Sequence, residues 1–270
     1  MSELQKAGPL WLVGCGNMGG ALLRAWLNAG LPPADVLVVD PVAAEPAAGV
    51  TRVDAVPDGT PAPRILVLAV KPQLLDVVAP AVAPHVGGET VLVSILAGVD
   101  IATLRTRFPA AGGIARLMPN LAAAVGRSQT LLFADNDRAA GIGAALARAA
   151  GQVERLPDEM LFDAGTALSG CGPAFLFRFI DAMAEAGAAL GLPADMAVRL
   201  AIGTVEGSAA FATTSDDSPT LLADRVASPG GATREGLDVL DRQAGIRALL
   251  HDTLAAAARR SRELAEAARG

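Results

Sequence analysis

The chain has 270 residues and a mass of 27.2 kDa, room for one or two domains. Its 22 Lys and Arg against 28 Asp and Glu leave a net charge of −6, and no basic tract supplies a local field, so nucleic acid is excluded as a partner. Aromatic residues at 3%, with no Tyr, leave few stacking platforms for single strands, while 52% hydrophobic against 19% charged residues excludes a disordered chain and predicts a large core.

A mean hydropathy of +0.41 raises the question of a membrane span. The longest stretch without Asp, Glu, Lys or Arg is residues 7–23, which holds Pro9, Asn17 and five glycines. It reads as strand, loop and helix start rather than about 20 apolar residues in a row. No basic segment precedes a short apolar core with a cleavage site, so no signal peptide is expected. Cys15 and Cys171 are too few for a disulfide framework and point to a reducing cytoplasm. His85 and His251 lack metal-ligand company; no metal is expected, and both are read as surface or packing residues.

In chain order, Leu10-Trp11-Leu12-Val13 is the first strand, followed by a glycine loop and a helical pattern over residues 21–29. Strands follow at residues 36–39, ending at Asp40, then at 65–70 and 90–96. Continuous Val, Ile and Leu runs of this length suit strands buried on both faces, as in a parallel sheet wound in βαβ units. Residues 112–118 and 130–133 extend the sheet, and 141–150 form a helix. Beyond Pro157 only Ala-rich helical patterns remain, at residues 173–190, 193–213, 220–226, 232–241 and from 246 onward. The expected organisation is a dinucleotide-type α/β domain over residues 1–158 and an all-helical domain over 159–270. A helical domain of small residues builds a thin core, which a second copy could complete.

The strongest local motif is Gly14-Cys15-Gly16-Asn17-Met18-Gly19, after a strand and opening a helix. Its glycines permit a tight turn, close approach to a pyrophosphate and close helix packing, and the helix N-terminus favours phosphate. Asp40, 21 residues after Gly19, either accepts the ribose hydroxyls of NAD or is a strand-end turn residue before Pro41. A carboxylate there would repel a 2′-phosphate. Arg52 is read as a solvated charge, with a place beside that phosphate as the alternative.

That motif, Ala69-Val70-Lys71-Pro72-Gln73, Ser94-Ile95-Leu96-Ala97-Gly98, Met118-Pro119-Asn120, Ser169-Gly170-Cys171-Gly172-Pro173-Ala174 and Ser228-Pro229-Gly230-Gly231-Ala232-Thr233 occur in this order. Together they closely resemble the pyrroline-5-carboxylate reductase family, from about Leu10 to Leu264. The Ser-Pro-Gly-Gly-Ala-Thr element is the most specific of them. The resemblance implies an α/β fold, a Rossmann-like doubly wound sheet followed by an all-helical dimerisation domain. It also implies NADPH- or NADH-dependent reduction of a cyclic imine to L-proline, the last step of proline biosynthesis.

By the same resemblance, Gly14, Gly16, Asn17, Met18, Gly19 and Asp40 bind the cofactor's phosphates and ribose. Ala69, Val70, Lys71 and Pro72, with Ala97 and Gly98, border the nicotinamide and its ribose, and Asn120 lies on the nicotinamide side. The Lys71 ammonium either serves the cofactor or is solvated. Leu121-Ala122 replaces the family's usual Thr-Pro, a departure that bears on loop shape. Ser228, Gly230, Gly231, Ala232 and Thr233 precede a helix, where backbone N–H groups can cradle a substrate carboxylate without an arginine; the alternative is a helix-capping turn. Thr233 is the expected catalytic residue. Cys171 is read as a buried, inert thiol, and Glu159, at the domain junction where by the resemblance a family acid can approach the substrate, as a solvated linker charge.

A protonated imine needs little acid–base machinery, so the protein's main task is to hold two reactants together. Hydroxyacid dehydrogenases and ketopantoate-type reductases share this architecture but resemble each other in using a lysine of the helical domain, and this chain has no lysine after Lys71. A cofactor-binding regulator without activity is the other alternative. A homodimer through the helical segments is expected.

Overall fold

Two buried faces explain the uninterrupted apolar runs. The computed structural model describes residue 4 and residues 8–42, 47–57 and 59–269, with only the backbone for 267–269. In chain order the first elements are β1 (Leu10–Val13), α1 (Asn17–Asn28), β2 (Val36–Val39), β3 (Thr51–Val53) and β4 (Ile65–Leu68). Next come α2 (Leu75–Val82), β5 (Val91–Ser94), α3 (Ile101–Arg107), β6 (Gly113–Met118), β7 (Ser128–Ala134), α4 (Asp137–Arg148) and β8 (Gly151–Arg155). All strands join one sheet in the order β3-β2-β1-β4-β5-β6-β7-β8.

Side chains alternate across the sheet with period two. Leu10 and Leu12 of β1 pack with Leu22, Leu23 and Trp26 of α1 and Leu146 of α4 on one face. Trp11 and Val13 pack with Leu75, Ala79 and Leu104, from α2 and α3, on the other. The Trp26 indole N–H donates to the Leu146 carbonyl at 2.9 Å, which ties α1 to α4.

The first six strands are parallel, but β7 runs antiparallel to β6 before β8 resumes parallel to β7. The sheet is therefore mixed at this edge. The connection between β6 and β7 is a short 3-10 turn, Leu121–Val125, ended by Gly126 at φ 69°, too short for a parallel crossover. The sequence also hid β3 and β8. Both carry exposed or half-buried residues, Thr51 in the first and Gln152, Glu154 and Arg155 in the second, because an edge strand needs no continuous apolar run.

The second half is helical throughout its described residues: α5 (Phe162–Gly165), a π-helical turn (Thr166–Gly170), α6 (Gly172–Ala189), α7 (Ala194–Thr214), α8 (Pro219–Val226), α9 (Ala232–Leu240) and α10 (Ile246–Arg269). Residues 1–171 group with 257–270, and residues 172–256 form the second unit. Segment 159–171 belongs to the first because Phe162 packs on Met118 and Leu131, and the end of α10 belongs there because Ser261 donates to Asp163 at 2.6 Å.

Within the second unit the buried apolar core is Ala184 of α6 with Ala197 and Ala201 of α7. Such methyl groups supply about 0.8 kcal/mol each, against about 1.5–3 for a buried Leu or Phe. The large side chains Leu176, Phe177, Phe179, Leu200, Ile202 and Phe211 are exposed on the single chain. By length and composition, residues 159–189 form one helical stretch apolar enough to cross a membrane. Asp163 and Arg178 interrupt it, so it holds no long run free of charge. Of the apolar window within it, 11% is buried, in keeping with the exposed Leu176, Phe177 and Phe179.

Candidate active site

In the first unit, strand order reverses between β1 and β4, and a crevice opens beyond the carboxyl ends of the strands at such a point. Five of the sequence-predicted segments fall at these ends: the glycine loop after β1, Asp40 after β2, residues 69–72 after β4, Ala97 and Gly98 after β5, and Asn120 after β6. Segments far apart in sequence thus share one edge.

The glycine loop is built on contacts that exclude side chains. Gly14 has φ +91°, and a Cβ there would sit 2.8 Å from the Ala69 carbonyl and from Val70. A Cβ on Gly19 would overlap the Gly14 carbonyl oxygen and lie 3.2 Å from Ala69 Cβ. Gly16 differs: nothing lies within 4 Å of its Cβ position, and it is the N-cap of α1 with no side-chain cap bond. The loop thus presents open space beside the unpaired amides of a helix N-terminus, the shape and charge a pyrophosphate requires. The residues present fit NAD(P)H. Burial first, and the Asp40 carboxylate second, push the Cys15 thiol above its usual pKa, so it is neutral beside this anion site.

Asp40 does more than end a strand. One carboxylate oxygen accepts the Cys15 N–H at 2.7 Å and the other the Val42 N–H at 2.8 Å. Arg52 is not simply solvated: its Nε donates to the Asp40 carbonyl at 2.9 Å and its Nη2 to Asp54 at 2.8 Å. An acid and a cation therefore meet at the end of β2.

Lys71 is exposed at the start of a 3-10 turn, Pro72–Leu74. Asn120 is buried; its Oδ1 accepts the Ala122 N–H at 3.1 Å and its Nδ2 donates to the Ser169 carbonyl at 3.0 Å. Leu121, where the family pattern differs, is exposed at the start of the turn that Asn120 caps. Cys171 is unpaired and half-buried rather than buried, because it ends the π-turn where α6 departs. His85 packs its ring on Trp11 at 5.3 Å, and His251 is exposed. Among the described residues no group of His, Cys, Asp and Glu could hold a metal.

Glu159 is not a solvated charge. It accepts from Arg116 Nη1 at 2.7 Å and from the Ile101 N–H at 2.9 Å. Sequence reasoning passed over Arg116 because a lone arginine inside a strand pattern gives no sign of its partner.

In the second unit, residues 228–231 form a turn closed by the Gly231 N–H on the Ser228 carbonyl at 3.0 Å, with Gly230 at φ +69°. Gly231 is the N-cap of α9 and supplies no side-chain cap, so the first amides of that helix lack a protein acceptor of this kind. Ser228, Gly230, Ala232 and Thr233 are exposed and Gly231 half-exposed. Across the turn, Arg234 of α9 pairs with Asp224 of α8 at 2.8 Å. Neither the Ser228 nor the Thr233 hydroxyl occupies the N-cap position of α9.

A doubly wound sheet with this crevice, joined to a helical unit, defines an NAD(P)H-dependent oxidoreductase. Residues 159–264 match the family described as pyrroline-5-carboxylate reductase dimerisation, and residues 10–98 that described as NADP oxidoreductase, coenzyme F420-dependent. The pyrroline-5-carboxylate reductase of Pseudomonas aeruginosa is 36% identical, with 94% of this chain and 96% of that protein covered. That of Pisum sativum is 35% identical over 94% and 95%. A solved pyrroline-5-carboxylate reductase from Coxiella burnetii superposes with TM-score 0.88 at 28% identity, covering 96% of this chain and 98% of that one. The Plasmodium falciparum enzyme with NADP bound gives 0.82 at 26%, covering 95% and 97%. The chain belongs to the pyrroline-5-carboxylate reductase family.

Proposed function

We propose that the chain reduces 1-pyrroline-5-carboxylate to L-proline with NADPH or NADH, closing proline biosynthesis. The observation that carries this reading is the pairing, in one chain, of a dinucleotide crevice with a helix N-terminus at residues 228–233 that has no side-chain cap. When bound, the dihydronicotinamide supplies a hydride to the imine carbon. The glycine loop and the start of α1 hold the pyrophosphate; residues 69–72, Ala97, Gly98 and Asn120 border the nicotinamide. The amides at the start of α9 hold the substrate carboxylate, and Thr233 Oγ1 orients the ring nitrogen. No lysine is available in the helical half as an acid, and a protonated imine needs none. The test is NAD(P)H oxidation with 1-pyrroline-5-carboxylate, with ketopantoate reduction and hydroxyisobutyrate oxidation as controls. Turnover of a control but not of the imine overturns the reading.

Both nucleotides are expected to serve, with Asp40 limiting NADPH. Because the Asp40 carboxylate also holds the Cys15 amide, Asp40→Asn is a cleaner probe than Asp40→Ser: it keeps an acceptor and removes the charge. Either variant should lower the NADPH KM more than the NADH KM. An unchanged preference in initial-rate kinetics means that Asp40 does not face the ribose.

The chain forms homo-oligomers, and the proposed unit is a dimer through α6, α7 and α10, with assembly beyond it left open. The exposed Leu200 (52%) and Phe211 (63%) of α7 support it. Leu200→Asp with Phe211→Asp should yield monomers in light scattering at low micromolar concentration. A compact, fully active wild-type monomer near 27.2 kDa would overturn the dimer. The proposed partners include neither nucleic acid nor membrane, and the proposed compartment is a reducing cytoplasm, in keeping with two unpaired cysteines.

A further inference from the structure

We propose that Glu159 is a positioning residue for hydride transfer, holding the exits of β5 and β6 in register through Arg116 and the start of α3. The proposal rests on the reading above that Ala97, Gly98 and Asn120 border the nicotinamide.

One carboxylate oxygen, Glu159 Oε1, accepts both Arg116 Nη1 at 2.7 Å and the Ile101 N–H at 2.9 Å. Ile101 opens α3, three residues after Gly98, and its helix is capped by Asp100 on the Thr103 N–H at 2.7 Å. Arg116 lies on β6, paired in register with Ser94 at the end of β5 and four residues before Asn120. A single atom therefore links the two segments. Arg116 is confined on its side. Arg116 is 5% exposed, and its guanidinium carbon stands 3.8 Å over the Phe162 ring, which is itself packed on Met118 and Leu131. Further along the same segment, the Ser169 carbonyl takes the Asn120 Nδ2 bond at 3.0 Å, so residues 159–169 touch the β6 exit twice.

The loop at Gly98 is confined from its other side. Gly98 has φ +73°, and a Cβ there would meet the α10 backbone at Ala265 N and Leu264 C, at 3.1 and 3.2 Å. The Ser261 hydroxyl fastens α10 to Asp163 of α5 at 2.6 Å. The Arg116–Glu159 pair is costly for a device that only adds stability. Burial pulls the Arg116 pKa down against the pull of Glu159, and Arg116 Nε is buried without a partner. Apolar side chains of similar volume would hold a core at least as well. What they would not do is tie a helix amide and a strand side chain to one point.

The test compares Glu159→Gln and the double variant Arg116→Met/Glu159→Met with wild type. Measured are kcat, both KM values, nucleotide Kd by fluorescence, thermal unfolding, and the primary isotope effect with C4-deuterated NADH. A displacement of about 1 Å at a reacting centre costs about a hundredfold. Glu159→Gln should accordingly lower kcat by roughly ten- to a hundredfold, leave nucleotide Kd within about threefold, and raise the isotope effect. The double variant, free of an unpaired buried charge, should recover thermal stability while kcat stays low. A double variant with wild-type kcat overturns the proposal, as does a Glu159→Gln loss that vanishes once activity is expressed per folded protein. Gly98→Ala and Asn120→Ala separate the two layers. If they slow turnover and the Glu159 variants do not, positioning by Glu159 falls alone. If all are silent, the nicotinamide placement falls and takes the proposal with it.

Discussion

Thr233→Ala is expected to lower kcat/KM for 1-pyrroline-5-carboxylate by roughly ten- to thousandfold, on the order of 1.5–4 kcal/mol of lost transition-state stabilisation. Thr233 is exposed as the second residue of α9, beside a turn in which nothing lies within 4 Å of the Gly230 Cβ position. The cap position is Gly231, which contributes no side chain, so the hydroxyl is not spent on the helix. It can donate to or accept from the ring nitrogen while the neighbouring amides fix the carboxylate and hence the ring. A Thr hydroxyl is too weak an acid to be the ultimate proton source, so it orients the imine and relays from water. Thr233→Ser should retain much of the activity. Nucleotide affinity, dimerisation and the unfolding temperature should stay close to wild type in both variants. Steady-state kinetics beside NAD(P)H titration and a thermal melt decide the matter. Normal turnover by Thr233→Ala would return the residue to a purely structural role.

Gly19→Ala should raise the Kd of both nucleotides by about ten- to a hundredfold. The added methyl has no place to go: one neighbour is the Gly14 carbonyl oxygen and another is Ala69 Cβ at 3.2 Å. Forcing extra volume into such a contact costs about 1–3 kcal/mol, and each 1.4 kcal/mol is about tenfold in affinity. The strain falls on the loop that carries the open Gly16 position and on its seat against residue 69, so phosphate and nicotinamide-side contacts are disturbed together. Gly16→Ala is the informative companion, because nothing in the protein lies near its Cβ position. It should fold as wild type yet bind nucleotide weakly, since only the ligand needs that space. Fluorescence titration with NADPH and NADH reads both effects. Unchanged affinity in Gly16→Ala would remove the pyrophosphate from this loop.

Local pattern made several elements plain. The Val and Leu runs of β1, β2, β4 and β5 announce strands covered on both faces, and they are. The helical spacing over residues 173–190 and 193–213 becomes α6 and α7 within a residue or two at each end. The edge strands β3 and β8 escaped, since an element covered on one side carries mixed residues that resemble a loop. The contact-based units divide after Cys171 rather than where the composition changes. Composition changes at Pro157, but Phe162 and Ser261 place their segments by what they pack against or bond to.

By itself, the sequence determined the chemistry available: a glycine loop on a strand–helix turn, an Asp after the second strand, a Ser-Pro-Gly-Gly-Ala-Thr turn before a helix, and no lysine beyond Lys71. These are short-range facts, because propensity, turn geometry and periodicity act over a few residues. Only the tertiary structure decided what the long-range partners do. It turned Asp40 into a brace for the Cys15 amide, seated Arg52 on the Asp40 carbonyl, reversed β7, and made Glu159 the partner of a buried Arg116. Those pairs lie 12 to 43 residues apart, beyond the reach of any local signal. A charge reads as solvated until the fold places another charge, and a low-dielectric surrounding, against it.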